Sequence, residues 1–97
     1  MKRPSITLFA SPKPFKGHSG IIQRNAYRSW AKLGCEVLVM GDSEGGAEIC
    51  RELGFRHLPV VEKSPHGPPL LSSLWSLARE HASNDIICYV NSDIVLF

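Results

Sequence analysis

The run Ile86-Ile87-Cys88-Tyr89-Val90-Asn91-Ser92-Asp93-Ile94-Val95-Leu96-Phe97 decides the fold. Its first five residues carry no charge and do not alternate with polar ones. That pattern reads as a strand covered on both faces, as in a parallel sheet. Three polar residues then interrupt the run before a second apolar segment begins. A carboxylate at Asp93, flanked by apolar segments, needs a pairing group, hydrogen bonds or a metal, because burying it alone is costly. From position alone Asp93 reads equally well as a turn residue, since aspartate favours turns.

The preceding segments supply the rest of the architecture. Leu70 to Ala82 has helical spacing, with Leu70, Leu71, Leu74, Leu77, Ala78 and His81 on its inner face. Pro69 suits its first turn, and Ser83-Asn84-Asp85 ends it. Before it lie a Pro/Gly loop from Lys63 to Pro69, containing His66, and a third strand, His57 to Val61, with Pro59 inside. Ala47 to Leu53 reads as a short helix that buries Cys50 and Leu53. Glu36 to Gly41 reads as a strand, followed by the polar turn Asp42-Ser43-Glu44-Gly45-Gly46. Ser19 is placed to cap a helix running to Leu33. The apolar stripe of that helix is Ile22, Ala26, Trp30 and Leu33, with Gln23, Arg24, Arg28 and Lys32 directed elsewhere, and Gly34 is its stop signal. Ser5 to Ala10 is apolar on both faces and reads as a central strand, ended by Ser11-Pro12-Lys13-Pro14.

The order β-α-β-α-β-α-β predicts an α/β fold with a Rossmann-like, mostly parallel sheet and flanking helices, joined by right-handed crossovers. The apolar run at Ile94 to Phe97 leads us to expect the front part of a larger domain, truncated after the acidic segment.

Composition narrows the function. The chain has 97 residues, enough for one domain, and 43% hydrophobic with 21% charged side chains excludes a disordered tail. No apolar run approaches the length of a membrane span. Net charge is +2, too small to imply nucleic acid, and none is expected as a partner. The charge is nevertheless uneven: residues 1–35 hold seven Lys or Arg and no acid. A basic first third suits phosphates, but charge alone favours the plainer reading of a solvated helix face plus a basic terminus. Cys35, Cys50 and Cys88 are odd in number and lack a C-x-x-C, so they read as buried reduced thiols. The apolar stretch after Met1-Lys2-Arg3-Pro4 is too short for a signal peptide, and a cytoplasmic location is expected.

Ligands of open α/β sheets bind beyond the carboxyl ends of the strands. There the sequence delivers Ser11-Pro12-Lys13, Gly41-Asp42-Ser43 and Asn91-Ser92-Asp93 from three separate strands. Neither G-x-G-x-x-G nor a P-loop motif is present, which disfavours dinucleotide and P-loop chemistry. Trp30 and Trp75 read as packing residues. Asp42 suits a ribose or base but also suits a turn.

Ile87-Cys88-Tyr89-Val90-Asn91-Ser92-Asp93-Ile94-Val95-Leu96 resembles the DxD segment of nucleotide-diphosphate-sugar glycosyltransferases of the GT-A fold. The Ser-Pro loop after the first strand, Gln23-Arg24-Asn25-Ala26 before Trp30, Gly41-Asp42, and Gly67-Pro68-Pro69-Leu70-Leu71 agree in order. The resemblance implies that Ser11, Pro12 and Asp42 hold the nucleoside. It implies that Asn91 and Ser92 also contact the nucleotide, and that Asp93 binds a divalent metal, Mn²⁺ or Mg²⁺, bridging the diphosphate. Asn91 stands where the family has its first acid, and brings hydrogen bonds but no charge. The implied partners are a nucleotide-diphosphate sugar donor and an acceptor hydroxyl whose binding groups lie beyond these residues. A sugar-1-phosphate nucleotidyltransferase is the alternative enzyme, disfavoured by the Ser11-Pro12-Lys13-Pro14 loop. A non-catalytic nucleotide-binding or interaction fragment is the alternative outside enzymes.

Overall fold

The computed structural model describes residues 6–59 and 71–96. Ser5, Val60, Val61, the loop of residues 63–69 with His66 and Pro69, Leu70 and Phe97 lie outside the described residues. The elements are β1 (Ile6–Ala10), α1 (Gly17–Leu33), β2 (Glu36–Met40), α2 (Gly46–Leu53), β3 (Arg56–Leu58), α3 (Leu71–His81) and β4 (Ile86–Tyr89). The four strands form one all-parallel sheet in the order β3-β2-β1-β4. The chain is therefore a small α/β domain with flanking helices, as the apolar runs predict.

The alternation of side chains along each strand builds two cores. Leu8, Ala10, Val37 and Val39 face α1 and α2, where Ala26, Tyr27, Trp30, Ile49 and Cys50 close over them. Phe9, Leu38 and Met40 point the other way and meet Leu74 and Ala78 of α3. Both faces of β1 and β2 are thus dry, and removing each such large aliphatic or aromatic side chain from water contributes about 1.5–3 kcal/mol. Two parallel crossovers run from β1 to β3 on one face. The chain then returns past β1 to β4 on the other face, so the direction of winding reverses between β1 and β4.

Several local expectations change. Helix α1 begins at Gly17, with Lys16 preceding it and no side-chain cap, so Ser19 lies inside the helix. Its buried residues are Gly20, Gln23, Ala26, Tyr27 and Trp30, not a stripe through Ile22 and Leu33. Gln23 faces inward, although its polarity predicts the opposite. Helix α3 buries only Leu74 and Ala78, and Leu71 is exposed. Trp75 is partly exposed, yet its ring meets the edge of Phe9 at 4.7 Å.

Strand β4 is shorter than expected and half covered. Ile86 and Cys88 are exposed, whereas Ile87 and Tyr89 pack toward α3. Its uncharged sequence predicts a doubly covered central strand, but β4 ends the described strand order and α1 lies over β1 and β2 instead. The thiols divide likewise: Cys50 is buried, Cys35 intermediate and Cys88 exposed. Among the described residues no helix is long and apolar enough to cross a membrane.

Candidate functional site

The reversal of winding opens a cleft of about 350 Å³ at the carboxyl ends of β1 and β4. Open α/β sheets bind ligands at such a switch point, because the loops leaving the two strands diverge to opposite faces. Ser11 and Lys13 line one wall from the β1 loop. Ser19, Ile22 and Gln23 add the first turns of α1, and Tyr89, Asn91, Ser92 and Asp93 form the wall from β4.

The β4 wall is a β-turn closed by the Ile94 N–H donating to the Asn91 carbonyl at 3.2 Å. Ser92 is buried, and its hydroxyl meets that of Tyr27 at 2.9 Å. Asn91 and Asp93, on either side, are exposed. The middle residue thus anchors the turn to α1, while its neighbours offer an amide and a carboxylate to the cleft. Burial pushes the Tyr27 hydroxyl well above its ordinary pKa of 10, so it stays a neutral donor and acceptor. Beyond the turn, Trp30 Nε1–H donates to the Ile94 carbonyl at 2.8 Å, and the Leu96 N–H donates to Ser29 Oγ at 3.0 Å.

The opposite wall is fixed by an amide side chain. The Lys13 N–H donates to Gln23 Oε1 at 2.8 Å, and Gln23 Nε2 donates to the Lys13 carbonyl at 2.9 Å. Gln23 is only 4% exposed, so its polar groups are satisfied by the backbone of Lys13. Phe15 locks the end of the loop: its ring is buried and its N–H donates to the Glu44 carbonyl at 2.8 Å. Two glycines make room for it. A Cβ at Gly20 would lie 2.8 Å from the Phe15 carbonyl carbon, and one at Gly45, where φ is +85°, would lie 2.7 Å from Phe15 Cβ.

Of the residues singled out from the sequence, Ser11, Asn91, Ser92 and Asp93 come together in this cleft. Pro12 is buried behind it, and its carbonyl accepts from Ser43 Oγ at 2.6 Å. That bond ties the β1 and β2 loops together. Asp42 is exposed on the β2 loop and does not line the cleft. Ser19, Ile22, Gln23 and Tyr89 were not among the expected ligands, whereas Lys13, like Lys16 and Arg24, reads from the sequence either as a cation for a diphosphate or as a solvated side chain. The signal for Lys13 was its place in the β1 loop; for Gln23 it was only its spacing from Ala26 and Trp30.

Among the described residues Asp93 is the only carboxylate lining the cleft, with the Asn91 amide in place of a second. Among the described residues no three His, Cys, Asp or Glu side chains converge to hold a metal. Divalent cations are retained by several oxygen donors, usually including more than one charged group or ligand phosphates. Asp93 alone is too small a donor set to retain a metal by itself; a cation there would need ligand phosphate oxygens beside the Asp93 carboxylate. Comparison with family models, curated proteins and solved structures returned no match.

Proposed function

We propose that this chain binds a nucleotide-diphosphate sugar in the β1/β4 cleft, as the donor-binding part of a glycosyltransferase of GT-A type. The carrying observation is the junction of the Ser11–Lys13 loop with the Asn91–Asp93 turn at the switch point of a parallel sheet. In this reading Asn91 and Asp93 take ligand hydroxyls, Asp93 as an acceptor only and Asn91 as donor and acceptor. Ser11 faces the nucleotide from β1. Pro12 shapes the loop, and Ser92 holds the turn rather than the ligand. Asp42 meets the outer, nucleoside end of a ligand long enough to leave the cleft over the β2 loop.

The chemistry is transfer of the sugar to an acceptor hydroxyl. The anomeric C–O bond to the diphosphate breaks, and its electron pair leaves with the diphosphate. A new C–O bond forms to the acceptor oxygen, which gives up its proton. The cleft contributes fixed geometry and hydrogen-bond donors toward the developing charge.

Calorimetric titration with nucleoside diphosphates and with their sugar conjugates tests this reading. One saturable site is expected, with Asp93→Ala weakening the sugar conjugate more than the bare diphosphate, and Asp42→Ala weakening both. Equal binding of inorganic pyrophosphate and every nucleoside diphosphate would overturn it.

A further inference from the structure

We infer that Lys13 is the phosphate-binding cation of the cleft and that it holds its anion without a divalent metal. The inference rests on the nucleotide reading only for the identity of the ligand, since its chemistry is that of any phosphate or diphosphate.

An exposed lysine normally needs no fixed backbone. Lys13 has one: both its N–H and its carbonyl are gripped by the buried Gln23 amide. Pro12 and Pro14 restrict φ on either side, and buried Phe15 anchors the loop two residues on. Burying a glutamine is unfavourable unless its amide is fully hydrogen-bonded, and here its partners are this one residue's backbone groups. The arrangement sets where the lysine side chain starts, at the edge of the cleft it lines.

Neighbouring cations are otherwise engaged. Lys16 pairs with Glu44 at 2.8 Å, Arg28 with Glu52 at 3.8 Å, and Arg24 lies over the Phe15 ring at 5.7 Å. Among the described residues no carboxylate lies within ion-pair distance of Lys13. The same wall carries the start of α1, whose first turn holds no acid, so the positive end of the helix reinforces the lysine. Asp93 belongs to the other wall. The cleft is therefore divided, with an anion-binding side at Lys13 and a hydroxyl-binding side at Asn91 and Asp93. Lys13, on the wall opposite Asp93, supplies counter-charge to the anion directly.

The test is calorimetric titration of the whole chain with inorganic pyrophosphate, UDP and GDP, in chelator and again with Mn²⁺. Binding in chelator is expected. Lys13→Gln should weaken it by about tenfold or more, as for loss of a charge-assisted bond, and Lys13→Arg should restore it. Circular dichroism of both variants should match the parent, because the side chain is exposed. Gln23→Leu should weaken pyrophosphate binding in the parent background but add nothing to Lys13→Gln, since it acts through the lysine. Additive losses would make Gln23 a merely structural residue and overturn its positioning role. Binding that requires Mn²⁺, or that survives Lys13→Gln, overturns the inference while leaving the nucleotide reading standing. Lys13-dependent binding of pyrophosphate with no gain from the nucleoside does the reverse. No binding of any of the three overturns both.

Discussion

The hydroxyls of Tyr27 and Ser92 meet at 2.9 Å inside the protein although 65 residues separate them. Tyr27 lies mid-way along α1 and Ser92 in the turn after β4, so this single bond joins the helix layer to the floor of the cleft. Tyr27→Phe keeps the ring and its contacts with Trp30 and Phe15. It leaves the buried Ser92 hydroxyl without that partner, at an expected cost of about 1–3 kcal/mol. Urea unfolding measures the loss, and an unchanged midpoint would mean that the hydroxyl pair contributes nothing.

Gly20→Ala sets two effects against each other. Alanine is favoured over glycine inside a helix by about 1 kcal/mol. The new methyl would lie 2.8 Å from the Phe15 carbonyl carbon, a backbone atom that cannot swing aside. Overpacking costs about 1–3 kcal/mol, and a backbone clash sits at the upper end. Net destabilisation is expected in thermal or urea unfolding, and a stabilised variant would refute the close approach.

Glu36 makes stability depend on pH. Burial opposes its ionisation, but the Thr7 hydroxyl, the Ser83 N–H and the charge of Arg56 outweigh burial and hold its carboxyl below the ordinary value of 4.5. A depressed carboxyl contributes stability that is fully present above the unfolded pKa and is lost as pH falls through the folded one. Glu36→Gln should therefore be less stable than the parent near neutrality. The gap should narrow as pH falls below that ordinary value of 4.5 and close below the folded value. Urea midpoints across that acid range give the answer, and a gap independent of pH would contradict it.

The three thiols should label in order of access. Cys88 is exposed, whereas Cys50 is buried and its pKa is pushed up by burial to about 11. Thiolate is the reactive form. Iodoacetamide at mildly alkaline pH, followed by peptide mass spectrometry, should modify Cys88 first and Cys50 last. Rapid alkylation of Cys50 in the folded chain would mean that the α2 side of the core is open.

Asn91→Asp should raise the metal affinity of the chain. It places a second carboxylate two residues from Asp93, in a cleft that both exposed residues line, and hard cations favour paired carboxylates. Mn²⁺ titration without nucleotide is the measurement. Equal affinity in parent and variant would show that the amide is no obstacle to metal binding.

Element order was legible because β1, β4 and residues 37–40 of β2 are uncharged, largely apolar runs, and α1 and α2 end at Gly34 and Gly54. The phase of α1 was not. Hydrophobic spacing selects Ile22 and Leu33, but the chain buries Gly20, Gln23 and Tyr27. A glycine is inside because a loop backbone presses on it, and a glutamine because that loop's backbone satisfies its amide. Both causes lie in residues 13–15, outside any helical period. β4 misled in the opposite sense, since an uncharged strand reads as covered on both faces whichever side the helices take. In the cleft, Asn91 and Asp93 were legible as polar residues at a strand end. The Lys13 clamp needs the tertiary contact with Gln23.

The two walls of the cleft come from opposite ends of the described chain, residues 11–23 and 89–93. No local segment reproduces it, and a partly unfolded chain that has released β4 has no cleft. A ligand that fits there therefore binds the native state alone, and by mass action it adds RT ln(1 + [L]/Kd) to the unfolding free energy, about 2.7 kcal/mol at a hundredfold excess over Kd. Occupancy becomes readable as heat resistance, with no assay of turnover. The same linkage makes the docking of the 91–96 segment on α1 the step at which folding and ligand recognition coincide.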